Sequence, residues 1–237
     1  MTEPGHADPR TAEIAANLAV VRGRIAAGCA AAGRDPAGVT LIAVTKTFPA
    51  EDVRRLLALG VTDIGENRDQ EARAKAAAVP AARWHFVGRL QRNKARSVAC
   101  YATLVHSVDR PELVAALDAG ATRAGRTPLD VLVQVSLDAD PGRGGALPAD
   151  VPRLADAVAD AEGLRLAGVM AVAPLDADPL PALARLAEVA ADLRRDHPNA
   201  TIVSAGMSAD LEPALRCGAT HVRIGTALLG GRTPPVG

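Results

Sequence analysis

The sequence predicts a closed (β/α)₈ barrel in one domain, with an extra helix in front of the first strand. Three observations lead there. Eight short apolar runs rich in Val, Ile and Leu follow one another from residue 39 onward. Amphipathic segments at helical spacing separate them, the pattern of a parallel sheet covered by helices. The chain has 237 residues, 49% of them apolar, which suits a barrel built as a single domain over residues 1–237. An open doubly wound sheet is the competing arrangement. It usually carries a Gly-rich phosphate turn after its first strand, and "VTKTFP" is not one.

The elements follow in order. Residues 11–32 read as the extra helix, packed on or under the barrel. The strands are "VTLIAVT" (39–45), "VTDIGE" (61–66), "RWHFVG" (83–88), "TLVHSV" (103–108), "LDVLVQVSL" (129–137), "LRLAGVMAVA" (164–173), "TIVSAGM" (201–207) and "HVRIGTALL" (221–229). After the first strand, Val53, Leu56, Leu57 and Leu59 share a helical face that stops at Gly60. After the fourth, Asp109 is the expected N-cap, with Pro111 in the first turn. After the sixth, Leu183, Leu186, Val189, Ala190 and Leu193 recur at helical spacing and Pro198 closes the run. After the seventh, Ser208 is the expected cap and Gly218 the stop. The Gly/Pro-rich stretch 138–150 reads as a mobile loop after the fifth strand, and the tail "GGRTPPVG" as disordered.

Composition excludes several classes of function. Lys plus Arg and Asp plus Glu are each 27, so net charge is zero and gives no general drive toward nucleic acid or anionic membranes. Four aromatic residues, Phe48, Trp84, Phe86 and Tyr101, are too few for a base-stacking platform. Cys29, Cys100 and Cys217 are far apart and have no metal-ligand spacing, so no metal is expected. The N-terminus shows no targeting pattern and no run is read as a membrane span, so a cytoplasmic protein is expected.

In a barrel of this kind functional groups sit at the C-terminal ends of the strands. The first strand ends in Lys46, which is either a solvated loop residue or a reactive amine over a pocket. The second ends in Glu66 and Asn67, the two residues of "GENRDQEARAK" expected to point inward from an otherwise solvated helix. "GMS" (206–208) runs from the seventh strand into a helix start, where free N–H groups favour an anion. "RIGT" (223–226) places Gly225 and Thr226 at the end of the eighth strand. Loops after strands seven and eight often bind phosphate in barrels. An amine beside a phosphate site suits a phosphorylated aldehyde, and Arg223 is a candidate for a neighbouring cation or a donor to a ring nitrogen. The basic "LQRNKAR" segment reads as a solvated helix start.

Five stretches, "LIAVTKTFP", "DIGENRDQEARAK", "RWHFVGRLQRNKAR", "LVHSVDR" and "VSAGMSADLEPALRCGATHVRIGTALLG", resemble the pyridoxal phosphate homeostasis family. The likeness covers residues 11–230 and extends to the related barrel of alanine racemase. It implies that Lys46 holds pyridoxal 5'-phosphate (PLP) as a Schiff base. It implies that Ser208, Gly225 and Thr226 hold the phosphate beside the backbone of Met207, that Arg223 faces the pyridine nitrogen, and that Asn67 lines the ring. The sequence departs from the family at Ala205, where methionine is common, in "GVMAVAP", and in the 138–150 loop, where Arg143 is the only basic residue.

Racemisation needs an acid/base group on each face of the substrate α-carbon. In the related racemases the second group is a tyrosine from a separate β domain, which the sequence up to Gly237 is expected to lack. Tyr101 is expected at the wrong end of the barrel, and His85 and His106 read as core residues within strands. The expected function is therefore a non-catalytic, monomeric PLP binder in vitamin B6 and amino/keto-acid homeostasis, with PLP-dependent apo-enzymes as partners. A monodomain PLP enzyme such as a weak racemase, and a PLP-free Schiff-base aldolase, are the alternatives.

Overall fold

The computed structural model of the chain describes residues 8–138, 144–174 and 177–231. The elements run α1 (Pro9–Ala31), β1 (Thr40–Val44), α2 (Ala50–Ala58), β2 (Asp63–Glu66), α3 (Asp69–Ala78), β3 (Arg83–Phe86), α4 (Ala95–Ala99), β4 (Leu104–Val108), α5 (Pro111–Ala124), β5 (Leu129–Gln134), α6 (Val151–Ala159), β6 (Leu164–Met170), α7 (Pro179–Asp196), β7 (Ile202–Ser204), α8 (Leu211–Arg216), β8 (His221–Ile224) and α9 (Thr226–Leu229). Each of the eight apolar runs contains one strand. All pairings are parallel, and the order β1 to β8 closes on itself. Closure is made by four residue pairs, Thr40 with His221, Leu41 with Val222, Ile42 with Arg223 and Ala43 with Ile224.

Side-chain alternation along each strand sorts residues between the lumen and the helix-facing shell. Ala43, Ile64, Trp84, Phe86, Val105, Val131, Val222 and Ile224 belong to the main apolar core, together with residues of the surrounding helices. A second cluster joins Leu104, Leu132, Ala167 and Met170 of β4 to β6. The β5–β6 register skips one residue: Val131 pairs with Leu166 and Leu132 with Gly168. Gly168 has φ +149°, and a Cβ built there would lie 1.9 Å from the Ile202 carbonyl oxygen. Only glycine lets β7 approach β6 this closely.

The extra helix begins two residues before the expected start, capped by Asp8, whose carboxylate accepts the Arg10 N–H. Its buried row is Ile14, Leu18, Val21, Ile25, Gly28 and Cys29. The expectation that no run is read as a membrane span needs correction. At 23 residues, with a mean hydropathy of 1.3 over its best window, α1 meets that test by length and composition. Alanine at solvent-facing positions raises its mean, while the buried row packs on the barrel beside α8 and α9. Arg10 fastens this helix: it bonds to Asp52 on α2 (2.9 Å) and to the Leu229 carbonyl (2.9 Å), and lies 5.6 Å from the Phe48 ring.

Two caps differ from expectation. Arg110 takes the N-cap of α5 without a side-chain bond, while Asp109 pairs with Arg110 and accepts from Gly145 N–H at 3.4 Å. Asp210, not Ser208, precedes α8. The end of the 138–150 loop returns to β5, where Ser136 N–H donates to the Ala146 carbonyl and Ala146 N–H to that of Gln134. Arg143 and the tail from residue 232 lie outside the described residues.

Gly168→Ala is expected to cost about 3 kcal/mol or more, since backbone conformation and contact both oppose a Cβ. Gly23→Ala in α1, where nothing lies within 4 Å of the added carbon, should stabilise by about 0.5–1 kcal/mol. Urea unfolding of the two variants checks both signs.

Candidate functional site

Lys46 stands two residues past the end of β1 and is half-buried. Among the described residues its ammonium takes no hydrogen bond or ion pair, whereas its backbone neighbours are heavily held. Thr47 has φ +71°, the one non-glycine residue with positive φ among the described residues. Such a conformation costs on the order of 1–3 kcal/mol and persists only where surroundings impose it. Here Thr47 N–H donates to Glu71 Oε1 at 2.6 Å, and Phe48 N–H closes a turn on the Thr45 carbonyl at 3.0 Å.

The same Glu71 oxygen accepts from Lys75 Nζ at 2.6 Å. Lys75 also donates to the Thr45 carbonyl (2.8 Å) and to Glu66 Oε1 (2.6 Å), which in turn accepts from Thr45 Oγ1 (2.6 Å). One buried ammonium on α3 therefore grips the residues on both sides of Lys46. Burial raises the Glu66 carboxyl above its usual range, opposed by the bonds from Lys75 and Thr45. The expectation that Glu66 points inward is corrected, because its bonds turn it toward α3. Lys75, expected on a solvated face, is 6% exposed. Glu71 and Lys75 stand four residues apart, the signal available in the sequence, but periodicity alone did not reveal that the pair is buried.

The loops after β7 and β8 lie against each other. Gly206 has φ +93°, and a Cβ there would meet Ala214 Cβ at 2.7 Å, so the turn into Met207 and Ser208 needs glycine. Met207 N–H donates to Asp210 Oδ1 at 2.7 Å, which commits that amide to the loop itself. Ser208 Oγ accepts from Ala227 N–H at 3.4 Å, linking the β7 loop to α9. Among the described residues the N–H groups of Ser208, Gly225 and Thr226 take no partner. Gly225 lies against Val44 of β1, where an added Cβ would be 3.4 Å from the carbonyl oxygen. From outside, Arg24 of α1 bonds to the Ser208 carbonyl (3.0 Å) and to Glu212 (2.7 Å), so the extra helix braces this loop.

Arg223 is 5% exposed and stands beside Ile42 in the β1–β8 register. Its Nη1 donates to Ser204 Oγ (2.6 Å) and its Nη2 to the Ala171 carbonyl (2.9 Å). Burial lowers this guanidinium to about 10, opposed by Asp210. His85 and His106 are buried as expected and bonded to each other at 3.0 Å. Tyr101 follows α4, and its hydroxyl reaches Asp69 at 3.4 Å at the start of α3. Burial and that carboxylate hold the phenol protonated.

The closed barrel thus gathers Lys46, Met207, Ser208, Arg223, Gly225 and Thr226 at the ends of β1, β8 and β7. Asn67 lies on the other side of β1, after β2, with a buried Oδ1 that has no partner. Asn67 also lines a groove of about 690 Å³ with Arg89, Arg92, Lys94 and Arg110. Ser204, Ala171, Lys75 and Arg24 hold these residues and were not expected from the sequence. Their roles arise from register and helix packing.

A parallel barrel with its polar constellation on the loops after β1, β7 and β8 defines the barrel class of the alanine racemase N-terminal domain, whose family model matches residues 11–233. Within that class the chain belongs to the pyridoxal phosphate homeostasis family. It is 45% identical to the pyridoxal phosphate homeostasis protein of Mycobacterium tuberculosis, over 94% of each chain. The structure of PipY from Synechococcus elongatus with PLP bound matches with a TM-score of 0.78 and 36% identity, over 92% of this chain and all of that one. The alanine racemase of Streptomyces coelicolor shares the fold at a TM-score of 0.75 and 23% identity, over 94% of this chain and 59% of that one.

Lys75→Met is expected to destabilise the fold by about 3–5 kcal/mol in urea unfolding, because it leaves Glu66 buried without its counter-ion. Adding Glu66→Gln should recover part of the loss. Acid should also weaken the fold. Burial lowers His221 to about 4, and burial lowers His106 well below the usual range. The unfolded chain then binds protons that the native one refuses. Stability is full above about 6.5 and falls as pH drops toward 4, which thermal unfolding against pH would measure.

Proposed function

We propose that the chain binds PLP at the barrel mouth, holds it covalently through Lys46, and serves PLP homeostasis without a reaction of its own. The observation that carries this reading is Lys46 itself: an unpaired amine on a backbone fixed by Lys75 and Glu71, one strand away from Arg223. The family membership and the PLP-bound relative support it.

Bound there, the cofactor supplies an aldehyde that an unprotonated amine captures. The chain's own groups fit the rest of that molecule. Ser208, Gly225 and Thr226 offer unspent N–H groups and two hydroxyls for the phosphate. Met207, its amide committed to Asp210, contributes by shaping the loop. Arg223 has two nitrogens fixed to the barrel and Nε remaining for a ring-nitrogen acceptor. Such a donor leaves the ring nitrogen unprotonated and makes the ring a weak electron sink. Asn67 flanks the ring from β2.

The non-catalytic part of the reading rests on how the tyrosine and histidines among the described residues are engaged. Among the described residues, the Tyr101 hydroxyl is bound to Asp69 and His85 and His106 are committed to each other. Lys46 is the base this reading keeps at the mouth. A monomer is part of this reading. Three free cysteines suit a reducing cytoplasm. PLP-dependent apo-enzymes are the natural recipients of a cofactor held this way.

Purified protein reconstituted with PLP should be yellow, and Lys46→Ala should lose the absorbance of lysine-bound cofactor while keeping its circular dichroism. Retained absorbance in that variant would reject the lysine assignment. Stereospecific α-proton exchange of an added amino acid at a useful rate would reject the non-catalytic part.

A further inference from the structure

Between the closed face of the barrel and Arg223 runs an unbroken line of polar contacts through the lumen. Asp63 at the start of β2 accepts from His85 (Oδ1 to Nε2, 2.9 Å). His85 Nδ1 meets His106 Nε2 at 3.0 Å, and His106 Nδ1 meets Ser204 Oγ at 3.0 Å. Ser204 Oγ accepts from Arg223 Nη1 at 2.6 Å. The rings of His85 and His106 lie 5.2 Å apart, tilted by 57°.

The two ends of this line give it a direction. Arginine can only donate, so Ser204 Oγ accepts from Arg223, which leaves it one hydrogen and one lone pair for the contact with His106 Nδ1. Two neutral rings settle that choice: with Asp63 accepting from His85 Nε2, His85 Nδ1 accepts from His106 Nε2, and His106 Nδ1 accepts from Ser204 Oγ. His85 in turn carries its proton on Nε2 and donates to Asp63, and an ionised carboxylate can only accept. Both imidazoles are neutral in this arrangement, and every ring nitrogen has one partner. Burial, which lowers His106 well below the usual range, favours the same state. Burial opposes charge on Asp63, but the bond from His85 and the field of Arg83 keep that carboxyl below its usual range.

We propose that Asp63, His85, His106 and Ser204 form a one-way hydrogen-bond relay that fixes the Arg223 guanidinium as a donor to the ligand at the mouth. They are positioning residues: none need touch the ligand, and each acts through the next. The relay makes the electronic state of a bound ring depend on Asp63, which lies on the opposite face of the barrel beside the exposed Arg83 (3.3 Å). This inference rests on the proposed PLP site for its consequence, but not for its geometry.

Two measurements separate those parts. In PLP-free protein, long-range ¹H–¹⁵N correlation spectra should show His85 and His106 both protonated on Nε2 and bare on Nδ1. A proton on Nδ1 of His106 would overturn the relay whatever the cofactor does. In PLP-loaded protein, Ser204→Ala should shift the absorption maximum of the bound cofactor and speed its release about tenfold, and Ser204→Thr, which keeps the hydroxyl, should restore both. Asp63→Ala should shift the maximum in the same direction. Folded Ser204→Ala or Asp63→Ala protein with an unchanged spectrum and release rate would overturn the proposal. Wild-type protein that takes up no PLP would instead overturn the reading of the site, and the nuclear magnetic resonance result would still decide the relay.

Discussion

The pairing of β1 with β8 is the constraint on which the mouth of this barrel depends. Sequence separates Lys46 from Arg223 by most of the chain, and only closure sets Ile42 beside Arg223 and Gly225 against Val44. Parallel strands cannot be joined by a tight turn, so each pairing requires a crossover, and the last pairing requires all of them. The site is thus a property of the closed ring and of no smaller unit. Braces from outside follow the same logic. Arg24 reaches the β7 loop, Arg10 ties α2 to α9, and both arise from the helix that precedes the ring.

Two lysines show how burial decides the use of an amine. Lys75 is enclosed and saturated by Thr45, Glu66 and Glu71, and its role is structural. Lys46 is partly open and, among the described residues, unpaired, and the role proposed for it is chemical. The first makes the second possible. A residue at φ +71° relaxes unless something holds it, and the Glu71 carboxylate that holds Thr47 is itself oriented by Lys75. Arg223 is treated like Lys75 at two of its nitrogens and like Lys46 at the third.

Much of this was legible before any coordinates. Strand number, order and closure follow from alternating apolar runs, because a parallel sheet buried on both faces leaves that mark. Lys46, Ser208, Gly225 and Thr226 were singled out because strand ends are where barrels place chemistry, and the family resemblance implied the roles proposed for them. What escaped was pairwise. Glu66 looked inward from its place at a strand end, yet a strand residue's face is fixed by register, and Lys75 claims it. His85 and His106 were read as satisfied core residues, which they are. That their partners are each other, Asp63 and Ser204 depends on the angular placement of four strands around the ring. Ser208 looked like a cap because serine precedes a helix there, but the chain turns two residues later and Asp210 takes that position.

The bonds from Arg10 to Leu229 and from Asn17 to Leu228 join partners 219 and 211 residues apart. During synthesis, α1 leaves the ribosome before the ring, and its main partners, α8 and α9, are the last elements to follow. For that whole interval the nascent chain carries an uncovered greasy helix, the kind of segment that chaperones retain and that aggregates when they do not. The architecture that braces the mouth in the finished molecule therefore makes a helix synthesised before the ring the last to be fully housed.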